Sequence, residues 1–186
     1  MRKSRQEAAK TREAIVRAAA DLIRSEGLSE VSVANVMAAA GLTHGGFYRH
    51  FRDRDQLVAE ATASAGDITA GAFARDLDSG GRASALETYL SISHRDATTP
   101  LCTFAAAGSE LARASAETRQ SATEVLERII ARLAKASAGD ADQGRADAIV
   151  DLSTMIGAMT LSRIVSDEAL SREILDLARA RLLDRQ

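Results

Sequence analysis

Residues 40–51 read "AGLTHGGFYRHF". They hold two of the chain's three histidines, His44 and His50, and three of its six aromatic rings, Phe47, Tyr48 and Phe51. Two adjacent glycines, Gly45 and Gly46, stand where a helix would be starting. Upstream, Val33, Val36, Met37 and Ala40 mark one face of a helix of two to three turns, which Ser32 can cap and Gly41 stops. Downstream, Phe47 and Phe51 lie four apart and can pin a second short helix, with Thr43 at its N-cap.

Two short helices joined by a glycine-containing turn fit a helix-turn-helix. In that unit the second helix enters the major groove of DNA with its N-terminal residues at base edges. Those residues here are Thr43, His44, Gly45 and Gly46. Two glycines cost about 1 kcal/mol each in helix propensity, but they let backbone approach phosphates or bases with no side chain in the way. Tyr48 and His50 carry polar tips suited to phosphate oxygens, and Arg49 can reach phosphate or a guanine edge. The competing readings are a loop ending in a poor helix and, for Tyr48, a half-buried core aromatic. A metal site is disfavoured: His44 and His50, six apart on a helix, do not share a face, and no third ligand is near.

The wider composition is helical. There is one proline, Pro100, and Ala and Leu dominate the 186 residues. The single Cys102 excludes an internal disulfide. No apolar run approaches the roughly 20 residues that span a bilayer. The basic start "MRKSRQEAAKTRE" lacks the apolar stretch of a signal peptide. A soluble, cytoplasmic protein is therefore expected. The net charge of −2 is unevenly spread: residues 1–56 hold ten Lys/Arg against seven Asp/Glu, and the remainder 14 against 19. A basic first part suggests an anionic partner.

Apolar spacing predicts an all-α protein of about nine helices. The first covers 10–25, with Ile15, Ala18, Ala19, Leu22 and Ile23 on one face and Gly27 as a left-handed stop. After Asp53 a long helix carries Leu57, Ala61, Ala65, Ile68, Ala72 and Phe73 inward. A loop is expected at 76–81, then helices over 82–96, 101–114, 115–137, 145–166 and 167–185, with a break at Pro100 and a polar loop at 138–144. In the last helix Leu170, Ile174, Leu177, Ala178 and Leu182 form a stripe. The division is residues 1–52, a three-helix DNA-binding unit, and 53–186, a larger helical unit. The helix that begins near Asp53 runs out of the first into the second, so the two are mechanically joined.

Residues 11–57 resemble the DNA-binding domain of the tetracycline-repressor-like (TetR/AcrR) family of bacterial transcriptional regulators. The resemblance is carried by "AAADLIRSEGL", "VSVANVMAAAGLTHGGFYRHF" and "FRDRDQL", in that order. It implies a homodimer that reads a palindromic double-stranded DNA operator. Ser32 and Thr43 match hydroxyls that touch phosphate, and His44, Gly45 and Gly46 match the base-facing turn. Tyr48 and His50 match the phosphate pair of the "Y-x-H-F" signature, and Arg54 matches a cation that holds the DNA backbone. Arg2, Lys3 and Arg5 form an arm of the kind some members lay along DNA. Ala34 and Arg49 depart from the common pattern. With glycines at the base-facing positions, His44 and Arg49 are nearly the only side chains left to read bases, and DNA shape carries part of the selectivity.

The larger unit of this family usually binds a small-molecule effector. Candidates to line such a site are Phe73, Tyr89, His94, Arg95, Cys102, Phe104, Met155 and Met159, in a pocket expected to be mainly aliphatic. Cys102 reads either as a thiol placed near a helix start or as a buried, inert cysteine. The last two helices are candidates for the dimer interface through Ile156, Met159, Thr160, Ile164, Leu170, Ile174 and Leu177, forming a four-helix bundle with a twin. No paired carboxylates with a nucleophile, metal-ligand spacing or phosphate loop occur, so no catalytic residues, cofactor or metal are expected. A helical enzyme or carrier with a vestigial N-terminal unit, and a sequence-independent DNA-architectural protein, are the competing functions.

Overall fold

The computed structural model describes residues 5–98, 102–136 and 141–184. Among them the chain forms eight α-helices and one 3₁₀ helix, with no strand. Helix α1 (Arg5–Ser25) buries Ile15, Ala19, Ala20 and Ile23. It ends at Gly27, whose φ of 94° only glycine adopts without strain, and Gly27 N donates to Leu22 O at 3.1 Å. Helix α2 (Val33–Ala39) starts where the Ser32 hydroxyl accepts from Asn35 N at 3.1 Å. It stops at Gly41, with φ 68°.

The second helix of the helix-turn-helix is a 3₁₀ helix, His44–Arg49, rather than an α-helix. Two glycines inside six residues weaken α-helical propensity, and the tighter turn still delivers Phe47 to the core at 0% exposure. Thr43 takes the N-cap backbone position but makes no capping bond. Phe47 and Phe51 stack at 5.4 Å and close the small N-terminal core with Ile15, Ile23, Val36 and Met37.

Helix α3 (Arg54–Tyr89) is the spine. Asp53 caps it by accepting from Gln56 N at 2.8 Å, and Gln56 returns its side-chain oxygen to Arg52 N at the same distance. The continuity expected past Asp53 is present. The loop expected over 76–81 is only a kink at Gly80 and Gly81, because helical geometry persists through Ser79. Ile68, expected inward, is half-buried, and Thr69 takes the core position instead. The helix expected over 82–96 is divided. It ends at Tyr89, and a four-residue turn, α4 (Ile92–Arg95), restarts on Ser91, whose hydroxyl accepts from His94 N.

Helix α5 (Thr103–Leu111) is short, and α6 (Ala116–Ala136) buries Thr118, Ala122, Val125, Ile129 and Leu133 against α3. The two helices meet closely at Gly66, where any Cβ would overlap the Val125 side chain. Helix α7 (Ala141–Ile164) begins inside the stretch read as a polar loop, since residues 141–144 are helical. Helix α8 (Glu168–Leu183) starts on Asp167, which accepts from Leu170 N at 3.0 Å. A buried ion pair ties the kink to these last helices: Arg82 meets Asp151 at 2.8 Å and donates to Leu182 O at the same distance. No helix of the described residues is long and apolar enough to cross a membrane.

The expected α8 stripe is divided by face. Ser171, Leu175 and Leu182 are buried, Ile174 and Ala178 are half-buried, and Leu170 and Leu177 point outward. With Ile149, Val150, Leu161 and Ile164 of α7, they leave six large apolar side chains 42–70% exposed on two neighbouring helices. Met159 is fully enclosed, so it cannot reach a partner surface, contrary to its expected place in the interface. Ile156 and Thr160 are half-buried.

Candidate nucleic-acid interface and effector cavity

The 3₁₀ helix has one buried residue and an outward edge. Phe47 is fully buried, while its neighbour Tyr48 is 69% exposed and meets it edge-on at 5.2 Å. Thr43, His44, Gly45 and Arg49 are exposed alongside Tyr48, and Gly46 and His50 are half-buried. A Cβ on Gly45 would meet nothing within 4 Å, and one on Gly46 would reach only Met37 Cε at 3.5 Å. Neither glycine has a positive φ. Internal packing therefore does not require these glycines, and the burial of Phe47 and Phe51 offsets their helix cost. Close approach of another surface to bare backbone is what they permit.

The remaining sequence candidates divide. Ser32 spends its oxygen on the α2 cap but keeps a hydroxyl proton to donate. Ala34 and Arg5 are exposed. Arg2 and Lys3 lie outside the described residues. Arg54, expected at the DNA backbone, is exposed and also holds the protein's own loop. Its Nε donates to Val31 O at 2.7 Å and its Nη2 to Leu28 O at 3.1 Å, so the guanidinium braces the α1–α2 loop.

Two positioning residues escaped the sequence reading because their partners lie far along the chain. Arg12 reaches Glu60 at 2.5 Å, lies over the Phe51 ring at 4.6 Å and donates to His50 O at 3.3 Å. It fixes the end of the 3₁₀ helix to α1 and α3 together. Glu110, at the end of α5, accepts from Leu28 N at 3.0 Å and Ser29 N at 2.9 Å. The α1–α2 loop is thus gripped by a carboxylate on its N–H groups and by Arg54 on its carbonyls. Gly27 makes the close approach possible, since a Cβ there would lie 2.6 Å from Glu110 Oε2.

Behind this interface, α3, α4 and the start of α5 enclose a cavity lined by Thr69, Ala72, Phe73, Asp76, Ala85, Thr88, Tyr89, His94 and Cys102. Its volume is about 290 Å³ including the open mouth, and its enclosed part holds roughly one water. Phe73, Tyr89, His94 and Cys102 are there as expected; Phe104, Met155 and Met159 are buried elsewhere in the core. Arg95 turns away to Asp96, Ser171 and Glu168. The expected mainly aliphatic lining is overturned. Phe73 stacks on Tyr89 at 5.4 Å, and Tyr89 meets His94 at 4.6 Å, because the Tyr89–Ser91 break folds His94 back onto the ring.

Burial sets the ionisation here. It pushes the Tyr89 hydroxyl well above its ordinary value, with Cys102 adding to the effect. It raises the Cys102 thiol, although Cys102 stands at the N-cap of α5, so the inert reading of that cysteine fits its 1% exposure. It lowers His94, with Tyr89 O opposing the effect and Arg163 adding to it. The Arg163 guanidinium, itself lowered by burial, donates to Arg95 O and His94 O. His94 Nδ1 lies 2.7 Å from Tyr89 O. A carbonyl can only accept, so Nδ1 carries the proton and Nε2 of the neutral ring is an acceptor. His94 Nε2 is buried without a partner, and the Tyr89 hydroxyl lies against the Cys102 thiol.

Comparison with known proteins agrees with this geometry. Residues 15–61 match the family model described as bacterial regulatory proteins, tetR family. The HTH-type transcriptional regulator AcrR of Shigella flexneri is 41% identical over 59 residues, 32% of this chain and 27% of AcrR. The match spans about a quarter of that curated relative's length. Two crystal structures share the whole fold, each at 18% identity. The reduced form of NemR from E. coli has a TM-score of 0.77 over 94% of this chain and 96% of its own. A TetR transcriptional regulator from Legionella pneumophila has a TM-score of 0.73 over 99% and 98%.

Proposed function

We propose, since this chain belongs to the TetR/AcrR family of transcriptional regulators, that it is a homodimeric repressor released from a palindromic operator by a small-molecule effector. In this reading residues 1–52 bind DNA, and 53–186 bind the effector and the second protomer. The observation that carries it is the edge of the 3₁₀ helix. Thr43, His44, Gly45, Tyr48 and Arg49 are exposed together, with two glycines that the protomer's own packing does not need. Thr43, Tyr48 and His50 address phosphate, and His44 and Arg49 face bases. Arg5 extends the contact, continued by Arg2 and Lys3.

The apolar strip of Leu161, Ile164, Leu170 and Leu177 supports the second protomer as its occupant. Two such helices from each copy form a four-helix bundle, and two-fold pairing of identical strips is the common solution for soluble oligomers. The cavity supports the effector reading, because its walls come from the helices that also brace the α1–α2 loop.

The test is fluorescence anisotropy with DNA from the protein's own promoter region against random duplex of equal length. Specific binding should weaken steeply with salt. The double variant Tyr48→Phe, His50→Ala should weaken it while the dimer stays folded. Equal affinity for both DNAs would refute the reading.

A further inference from the structure

We infer that Arg12 is a positioning residue for operator recognition: it sets His50 and Tyr48 against the DNA and does not itself touch phosphate. The inference rests on the DNA-binding reading above and names the side chain on which its phosphate contacts depend. One guanidinium serves three elements. Arg12 Nη2 donates to Glu60 Oε1 on α3 at 2.5 Å, and Nε donates to His50 O, at the end of the 3₁₀ helix, at 3.3 Å. The guanidinium carbon lies 4.6 Å from the centre of the Phe51 ring. A planar fork can offer its edge to two acceptors and its face to a ring at once, which an ammonium cannot.

The carboxylate that holds Arg12 also holds the far side of the same turn. Glu60 Oε1 accepts from Gln56 Nε2 at 3.1 Å, and Gln56 Oε1 accepts from Arg52 N at 2.8 Å. The turn from the 3₁₀ helix into α3 is thus held by its His50 carbonyl and by its Arg52 N–H, and both routes meet at Glu60. Phe51, between them, stacks on Phe47, and Phe47 meets the Tyr48 ring edge-on. The two residues proposed to address phosphate therefore take their place from Arg12. Its charge is matched within the protomer by Glu60, which offsets its field at any phosphate farther off. Arg12 acts on DNA through His50 and Tyr48, which are not cations at neutral pH.

The experiment is fluorescence anisotropy of the full chain on the promoter-region and random duplexes, repeated over a range of salt. Arg12→Gln should weaken promoter binding about tenfold, the scale of one lost hydrogen bond, and leave random-duplex binding within about twofold. Its slope of log affinity against log salt should equal that of the native protein, whereas losing a cation that touches phosphate would reduce the slope by about one. Glu60→Ala removes an acid, which on charge alone would tighten binding to any DNA; here it should weaken promoter binding severalfold. Added to Tyr48→Phe, His50→Ala, the Arg12→Gln change should cost less than about twofold more, because the contacts it positions are already gone. Native promoter affinity in Arg12→Gln, a slope reduced by about one, tighter promoter binding in Glu60→Ala, or a further tenfold loss in the combined variant would each overturn the inference. Melting curves identify the folded variants, and Glu60→Ala carries the test if Arg12→Gln does not fold. A native protein with no preference for the promoter duplex loses the repressor reading and this inference with it. A native preference that both variants keep in full removes this inference alone.

Discussion

Glu110→Ala removes the carboxylate grip on the α1–α2 loop, and its cost can be worked from the contacts. Two bonds are lost, to Leu28 N at 3.0 Å and Ser29 N at 2.9 Å. Hydrogen bonds to a charged acceptor contribute about 1.5–3 kcal/mol each when buried. Ser29 is exposed, so its N–H recovers water and its loss is small. The Leu28 residue is 7% exposed, so its N–H stays short of a partner and carries most of the cost. The sum is about 2–3 kcal/mol, read in urea denaturation as a lower midpoint at unchanged slope. If the loop opens locally, hydrogen exchange at Leu28 and Ser29 should accelerate about 30- to 150-fold, with α6 and α7 amides little changed. Glu110→Gln keeps an acceptor and should lose roughly half as much. A Glu110→Ala protein within about 0.5 kcal/mol of native, with unchanged exchange at both amides, would refute the claim that this contact holds the loop.

Three further outcomes follow from single contacts. Arg82→Met leaves the Asp151 carboxylate, 1% exposed, without its main counter-charge and should cost about 3–5 kcal/mol in denaturant unfolding, with Arg82→Met, Asp151→Leu recovering much of it. Gly66→Ala drives a Cβ into Val125 and should destabilise by about 1–3 kcal/mol, whereas Gly45→Ala, with open space around it, should leave stability nearly unchanged or raise it. His94 is buried neutral and its folded pKa lies below the ordinary value, so the unfolded chain takes up a proton there first. Its contribution is complete above about pH 6.5 and is lost as pH falls from there through the lowered folded value, so the native melting temperature should drop from pH 7.5 to 5.5 more than that of His94→Gln.

What was readable in the sequence is what local spacing controls. Gly27 and Gly41 stop helices because the chain turns left-handed there, and Phe47 and Phe51 share a face because they are four apart. Asp53 caps the long helix through its own neighbour Gln56. What was not readable depends on partners distant in sequence. Arg54 looks like a free cation until the carbonyls of Leu28 and Val31 are placed beside it. Glu110 is one of many acids until Gly27 lets it approach. The cavity was half legible. Phe73, Tyr89, His94 and Cys102 stand out as rare residue types, but Thr69 and Asp76 are common ones, and only the break after Tyr89 turns His94 inward. Helical periodicity also said nothing of Met159: an apolar residue on an apolar helix can face the core or a partner, and the fold decided for the core.

The two grips on the α1–α2 loop have a common origin. Arg54 is the first residue of α3, which lines the cavity with Phe73 and Tyr89 some 19 to 35 residues later. Glu110 lies near the end of α5, whose N-cap residue, Cys102, lines the same cavity. Thr69 and Thr103 join the two helices there at 3.2 Å. The cavity therefore lies between two helices whose other ends hold one loop, one by its carbonyls and one by its N–H groups, although α3 is kinked at Gly80 and Gly81 and α5 at Ala107. With room for about one water, it cannot accept a larger molecule unless its walls move. A ligand that parted Thr69 from Thr103 would shift the two helices that carry Arg54 and Glu110. The loop these residues hold leads directly into α2 and the 3₁₀ helix. On the proposed reading, the effect of such a ligand on DNA binding is bounded by its preference for the separated arrangement. Cutting one grip alone, as in Glu110→Ala, should then weaken the ligand's effect on operator affinity while leaving its own binding to the cavity intact. A Glu110→Ala protein that still releases DNA with the native ligand response would show that α3 carries the coupling by itself.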